Sequence, residues 1–238
     1  MKIGIIAALP GELRPLVKGW KRRPAPAKGV SLWTTHQDGD EIVAVCGGMG
    51  AEAARQSLAA AESSGTLDIV LSVGWAGALD SGMRIGECYI PSEVIDVQTG
   101  ERFSLTDGSR TLRLVTSPVV ADNLEKRRLW SAYDAALVDM EAATIARLAA
   151  MRGIPFCCFK GVSDGPEATL PDLNRFIDDR GQMRMRAFLW HVAMRPMLWQ
   201  PLKALGRNSS LAAEALASKI QRFLLETDVD RTNRTGAV

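Results

Sequence analysis

Three acids stand where carboxylates are commonly brought to a cleft. Glu141 follows Asp139-Met140 at the head of an apolar stretch, Leu137 to Ala150. Asp164 follows Ser163 just after another apolar run, and Glu12 lies in the loop after the first apolar run of the chain. A protonated carboxyl group donates to a leaving group, while an ionised one accepts hydroxyl protons or takes a proton from water. The set suits a reaction in which a sugar is gripped and its leaving group is protonated. The expectation is breakage of a glycosidic bond. Singly, each acid has a plainer reading: Glu141 as a charge favoured at a helix N-terminus, Asp164 as a cap. Their joint occurrence with Glu12, each at an expected strand end or cleft-facing helix start, shifts the balance toward a site.

The elements that must position them alternate in type. Residues 2–8, 42–46, 68–73 and 154–159 read as strands, with further extended runs at 87–97 and 111–116. Helical patterns fall at 11–18, 51–62, 122–132 and 140–152. Ile154 to Phe159 is continuously apolar, as expected of a strand buried on both faces. The alternation predicts an α/β fold, three α/β/α layers around a mixed, mainly parallel sheet. In such sheets ligands bind beyond the carboxyl ends of strands. Glu12, Gly47 to Gly50, Gly74 to Gly77 and Ser163-Asp164 all follow strands and are expected to converge. The Gly47-Gly48-Met49-Gly50 turn suits an anion held on backbone N–H groups, and equally the packing of any strand-to-helix turn. Neither GxGxxG nor GxxxxGK[ST] is present, which disfavours a nicotinamide cofactor; no cofactor and no metal are expected.

Composition narrows the class. With 238 residues, 47% of them hydrophobic, the chain has ample material for a core. A net charge of +2 marks no strong polyanion binder, and no nucleic-acid partner is expected. Cys46, Cys88, Cys157 and Cys158 lie in or beside apolar runs without CxxC spacing and are expected to be buried free thiols, which fits the cytosol. Met1-Lys2 leads straight into Ile3-Gly4-Ile5-Ile6, so a cytoplasmic location without a leader is the expectation.

The C-terminal fifth differs. From Arg180 to Arg222 eight lysines and arginines face one acid, Glu214, with Phe188, Leu189, Trp190, Trp199, Leu202 and Leu205 interleaved. Pro196 and Pro201 are expected to divide this region into short helices. The large apolar side chains are expected to be covered by the domain, a partner subunit or a lipid-like group, since burying each stabilises by about 1.5–3 kcal/mol. Basic amphipathic helices also favour anionic interfaces. The organisation expected is a catalytic domain over 1–182, basic amphipathic helices over 183–225 and a polar, frayed tail over 226–238.

Several segments carry a family resemblance. Met1 to Ala8 with Glu12, Val45 to Gly50, Ser72 to Leu79, Arg84 to Glu87, Val138 to Ala142 and Val162-Ser163-Asp164 together resemble the purine nucleoside phosphorylase and nucleosidase superfamily. Within it the chain resembles 5′-methylthioadenosine/S-adenosylhomocysteine nucleosidases over roughly residues 1–170. The resemblance implies a nucleoside phosphorylase-like fold and cleavage of a purine from a 5′-modified adenosine in a homo-oligomer, a homodimer. It implies Asp164 as the acid that protonates the base at N7, and Glu12 as the base that activates water. It further implies Met140 and Glu141 at the ribose, with Ser163, Ala76, Gly77 and Val120 as further substrate contacts. Four positions depart from the family pattern. Trp75 stands where a small serine is usual near the nucleophile. Ser72 replaces an arginine of the phosphate-using relatives, and Arg14 is out of register with another. Val120 replaces a stacking phenylalanine. Water is therefore favoured over phosphate. The segment 122–141 and the basic C-terminal region are similar to hopanoid-associated phosphorylase-like proteins, which act on adenosine carrying a lipid at the 5′ position. That similarity keeps a phosphorolytic reaction open, as well as a peripheral membrane or lipid contact through the C-terminal helices. A binding protein that keeps the fold and has lost catalysis is the alternative of another class.

Overall fold

A computed structural model describes residues 1–105, 112–168, 171–178 and 180–235. The chain runs β1 (Lys2–Ala7), α1 (Pro10–Leu13), β2 (Lys21–Arg23), β3 (Ser31–Gln37), β4 (Asp40–Cys46), α2 (Gly50–Glu62), β5 (Ile69–Ala78), β6 (Cys88–Tyr89), β7 (Glu93–Asp96), β8 (Arg102–Ser104) and β9 (Arg113–Thr116). It continues with α3 (Asn123–Tyr133), β10 (Leu137–Asp139), α4 (Ala142–Arg152), β11 (Phe156–Asp164), a 3-10 turn at Asn174–Phe176, α5 (Met185–Ala193), a second 3-10 turn at Pro196–Leu198 and α6 (Trp199–Thr235).

The strands form one mixed sheet in the order β2-β3-β4-β1-β5-β10-β9-β7-β8, with β11 also paired to β5 and β6. The ladders at its heart, β4–β1, β1–β5 and β5–β11, are parallel. β5 is shared: Ile69 to Ser72 pair with β1 on one side, while Gly77 and Ala78 at its end pair antiparallel with β10. Every residue of β1 is buried, as a strand covered on both faces requires. Alternation sorts its side chains. Ile3 and Ile5 pack with Leu71, Phe159, Leu216, Ile220 and Leu224 beneath α6, while Ile6 packs with Leu58 and Ile145 beneath α2 and α4. The three-layer arrangement expected from the sequence follows.

Several boundaries move for identifiable reasons. Helix α1 stops at Leu13, ahead of Pro15, instead of reaching residue 18. The run 87–97 divides at Pro91 into β6 and β7. The helix expected over 140–152 begins at Ala142, because residues 137–139 pair as β10. Thr111, the first residue of the run 111–116, lies outside the described residues. Pro201 does not break the C-terminal region. It sits in the first turn of α6, where backbone N–H groups lack intrahelical partners and a proline costs little, so one helix of 37 residues follows. That helix continues to Thr235, so most of the expected tail over 226–238 extends it. Residues 236–238 lie outside the described residues. Cys46 and Cys158 are buried free thiols, whereas Cys88 and Cys157 are half-buried.

Contact between α6 and β11 is close. A Cβ on Gly161 would fall 2.8 Å from the carbonyl oxygen of Ala212 and 3.0 Å from its Cβ, so the strand meets the helix backbone where only glycine fits.

Candidate active site

The carboxyl ends of β1, β4, β5, β10 and β11 meet in a cavity of about 590 Å³. Its wall includes Glu12, Trp75, Ala76, Gly77, Val120, Met140, Glu141, Ser163 and Asp164. Every site residue expected from the sequence thus reaches one cavity. The size falls within the range of about 300–1,000 Å³ usual for small-molecule sites.

Glu12 is 4% exposed and takes its place through the backbone. Its Oε2 accepts from the N–H groups of Ala8 (2.9 Å) and Leu9 (2.8 Å), and its Oε1 from the N–H of Trp75 (2.9 Å). Burial raises the Glu12 pKa above the usual 4.5, and the N–H donors of Leu9 and Trp75 and the charge of Lys160 act the other way. A carboxylate with a raised proton affinity is the better base toward water.

Asp139 braces the neighbouring turn. Its Oδ1 accepts from the Thr116 hydroxyl at 2.6 Å, its Oδ2 from the Ala142 N–H at 2.9 Å, and Thr116 Oγ1 accepts from the Ala143 N–H at 3.0 Å. The Lys160 ammonium lies 2.8 Å from Asp139 Oδ2 and donates to Ser72 Oγ at 3.2 Å. Desolvation is the largest single influence and lowers the Lys160 pKa, but the charge and hydrogen bond of Asp139 together with other neighbouring groups outweigh it, and the net direction is upward. With its turn locked, Met140 and Glu141 are aimed into the cavity.

The Gly47–Gly50 turn holds a carboxyl group of the protein itself: Gly50 N–H donates to Glu141 Oε1 at 2.6 Å at the start of α2. This leaves Oε2 for a ligand. Burial, joined by the charge of Asp139, pushes the Glu141 carboxyl up to about 8.

Asp164 ends β11 after a break in its register with β5. Its Oδ1 accepts from the Ser163 hydroxyl at 2.6 Å, and its Oδ2 bonds the ammonium of Lys126, itself buried on α3. The Lys126 ammonium also donates to the Gly165 carbonyl at 2.7 Å.

Trp75 packs its ring edge over Gly11, where a Cβ would come within 2.8 Å of it, and its buried Nε1 has no hydrogen-bond partner. At Val120 both backbone groups are engaged: its N–H donates to Asn174 Oδ1 at 2.8 Å and its carbonyl accepts from Asn174 Nδ2 at 3.1 Å. A base that reads the Val120 backbone must displace that amide. The far wall of the cavity is apolar, made by Met183, Met185, Phe188, Leu202 and Leu205, with Arg14 at another edge. Phe188 and Leu202 are half-buried there. Trp190 on α5 and Trp199 at the start of α6, expected to be covered, are 72% and 49% exposed, and neither is among the residues that line the cavity.

Lys126, Lys160, Thr116 and Asn174 were not anticipated. A lone lysine inside the apolar run Phe156–Val162 was the signal for Lys160, since a lysine so placed needs a buried acid. No comparable signal marks the other three.

Comparison with known proteins places the fold and the family. The model of the phosphorylase superfamily matches residues 2–122 and 111–193. A 5′-methylthioadenosine/S-adenosylhomocysteine nucleosidase of Colwellia psychrerythraea is 33% identical over 97 residues, 40% of this chain and 39% of that protein, so the match spans about two fifths of the relative's length. Among solved structures, the 5′-methylthioadenosine/S-adenosylhomocysteine nucleosidase of Helicobacter pylori superposes with a TM-score of 0.70 at 16% identity, covering 97% of this chain and 98% of that one. The futalosine hydrolase of the same organism gives 0.69 at 16% identity over 97% and 98%. The 5′-methylthioadenosine nucleosidase of Arabidopsis thaliana gives 0.68 at 18% identity over 94% of both chains. These structural likenesses establish a shared fold.

Proposed function

Because the chain belongs to the phosphorylase superfamily, we propose that it cleaves the N-glycosidic bond of a purine nucleoside modified at the 5′ position, with water as the nucleophile. One observation carries this reading: Glu12, Glu141 and the Ser163–Asp164 pair line one cavity whose far wall is apolar. As the bond breaks, positive charge grows on the ribose and negative charge on the departing base. Glu141 Oε2 accepts from a ribose hydroxyl, Asp164 passes a proton to the base, and Glu12 takes one from the attacking water. The apolar wall of Met183, Met185, Phe188, Leu202 and Leu205 receives the 5′ group. The acids Glu12, Asp139 and Asp164 outnumber the lysines Lys126 and Lys160, which leaves little attraction for phosphate at the reacting end.

Arg14 at the cavity edge supports a second reading, phosphorolysis of an adenosine with a lipid-like 5′ group. Incubation with methylthioadenosine, adenosylhomocysteine, adenosine and inosine, with and without phosphate, decides between them by following free base. Phosphate-independent release supports hydrolysis, strict phosphate dependence the second reading, and tight purine-nucleoside binding without release a protein that has lost catalysis.

The outer face of the C-terminal arm supports a peripheral contact with an anionic lipid surface. Leu189, Trp190, Met194 and Met197 are 57%, 72%, 66% and 80% exposed. Around them Arg180, Arg184, Arg186, Arg195, Lys203 and Arg207 are exposed with no acid between residues 180 and 213. Pairing two copies through this face would set cation against cation, whereas anionic headgroups complement it and the apolar side chains enter the interface. Among the described residues no helix is long and apolar enough to cross a membrane.

A further inference from the structure

The acid end of the site holds more than one titratable group. Lys126 is 2% exposed on a helix whose only other buried residue is Leu129. Its Nζ contacts Asp164 Oδ2 and the Gly165 carbonyl, and it lines the cavity. Room for the pair is made by Gly77, where a Cβ would fall 3.1 Å from Asp164 Oδ2 and 3.2 Å from Lys126 Cε. A lysine buried this deeply is costly to keep unless its charge is matched, and α3 has exposed positions where a lysine would cost nothing. Stabilising the fold does not require the arrangement. It does bear on the chemistry. In an ion pair the carboxylate carries no proton to give, and the transferable protons are on Nζ.

We propose that Lys126 supplies the proton that Asp164 delivers to the departing base. The inference rests on the nucleosidase reading above. As the bond between C1′ and N9 breaks, its electron pair passes into the base. The base takes a proton from the Asp164 carboxyl group, which takes one from Lys126 Nζ, leaving a neutral amine. The water that attacks C1′ loses its proton to Glu12. The cycle closes when Glu12 releases that proton to solvent and Lys126 regains one. Positioning alone is the competing role, and an arginine separates the two. A guanidinium keeps the ion pair with Asp164, yet does not give up its proton in a protein.

The experiment measures the wild type, Lys126→Met and Lys126→Arg on two substrates with the same 5′ group: methylthioadenosine, whose base must be protonated, and the matching 4-nitrophenyl riboside, whose phenolate leaves without a proton. Both variants are expected to release adenine at least about 10²-fold more slowly while nitrophenyl release stays within about threefold of wild type. Folding is checked by circular dichroism; if Lys126→Met fails to fold, Lys126→Arg decides. Wild-type adenine release by Lys126→Arg overturns the proposal, as does an equal loss on both substrates in a folded variant. A wild type that cleaves neither substrate overturns the nucleosidase reading and takes the proposal with it. A wild type active on both substrates, with either of the first two results, leaves that reading standing and removes only the role of Lys126.

Discussion

The sheet end and the C-terminal arm place opposite kinds of group against their environment. At the sheet end, titratable side chains are taken out of water and each is matched: Asp139 with Lys160, Asp164 with Lys126, Glu12 with three N–H groups, Glu141 with Gly50. On the arm, large apolar side chains stand in water and none of the residues of α5 is buried. The first region spends folding stability to hold charge in a fixed geometry. The second leaves hydrophobic stabilisation unrealised on its outer face. A cavity with one polar and one apolar wall results, so a ligand with a polar head and an apolar substituent satisfies both.

The sharpest way to break this comparison is at Asp164. Asp164→Asn should slow base release by about 10²-fold or more with the fold intact, since a proton donor contributes that much. Steady-state assays on methylthioadenosine check it, and near wild-type turnover removes Asp164 from the chemistry. Next comes the brace. Lys160→Met leaves Asp139 as an unmatched buried charge and should cost about 3–5 kcal/mol of stability in urea unfolding. A loss below about 1 kcal/mol would mean that the pair is not desolvated as the structure places it.

A smaller effect concerns pH. The Glu141 carboxyl is raised from 4.5 to about 8 in the folded protein, so folding takes up a proton there. The associated stabilisation is complete below the unfolded value and is lost as pH rises through about 8. The melting temperature of the ligand-free protein should therefore fall between about pH 5 and pH 8 and level off above that, and Glu141→Gln should flatten the fall. An identical pH profile in the variant would locate the dependence elsewhere.

The smallest effect on stability belongs to the arm. Trp190→Ser combined with Met197→Ser should change stability by no more than about 0.5 kcal/mol, because exposed side chains contribute little. The same pair should weaken sedimentation with phosphatidylglycerol vesicles while leaving turnover of a short 5′ substrate unchanged. Unaltered vesicle binding would return the outer face to ordinary surface.

What was legible in the sequence follows from where the chemistry sits along the chain. Glu12 and Asp164 follow runs that read as strands, and Glu141 heads a run that reads as a helix, so residue type and place mark all three as candidates. Lys126 and Asn174 act across the fold, one on Asp164 and the other on Val120, and nothing beside them in sequence distinguishes them from surface residues. The edge strands β2, β3 and β8 were missed for a related reason: Ser31–Gln37 mixes polar and apolar residues because only part of it is covered. Pro201 misled because proline punctuates helices from inside but is tolerated at their start.

Helix α6 is a single rod with two differently anchored ends. From Ala212 to Leu224 it is bolted to the core through Leu216, Ala217 and Ile220, with Gly161 as the bearing on which Ala212 rests. From Trp199 to Ser209 it is cavity wall and little else. Such a rod is a lever: at 1.5 Å per residue its free arm from Ala212 to Trp199 is about 20 Å long, so a tilt of about 10° on that bearing swings the wall by about 3 Å. Such a tilt would widen the apolar wall with no hydrogen bond in the helix broken. The strand that carries the bearing also carries Asp164 three residues on, which couples the width of the wall to the position of the acid.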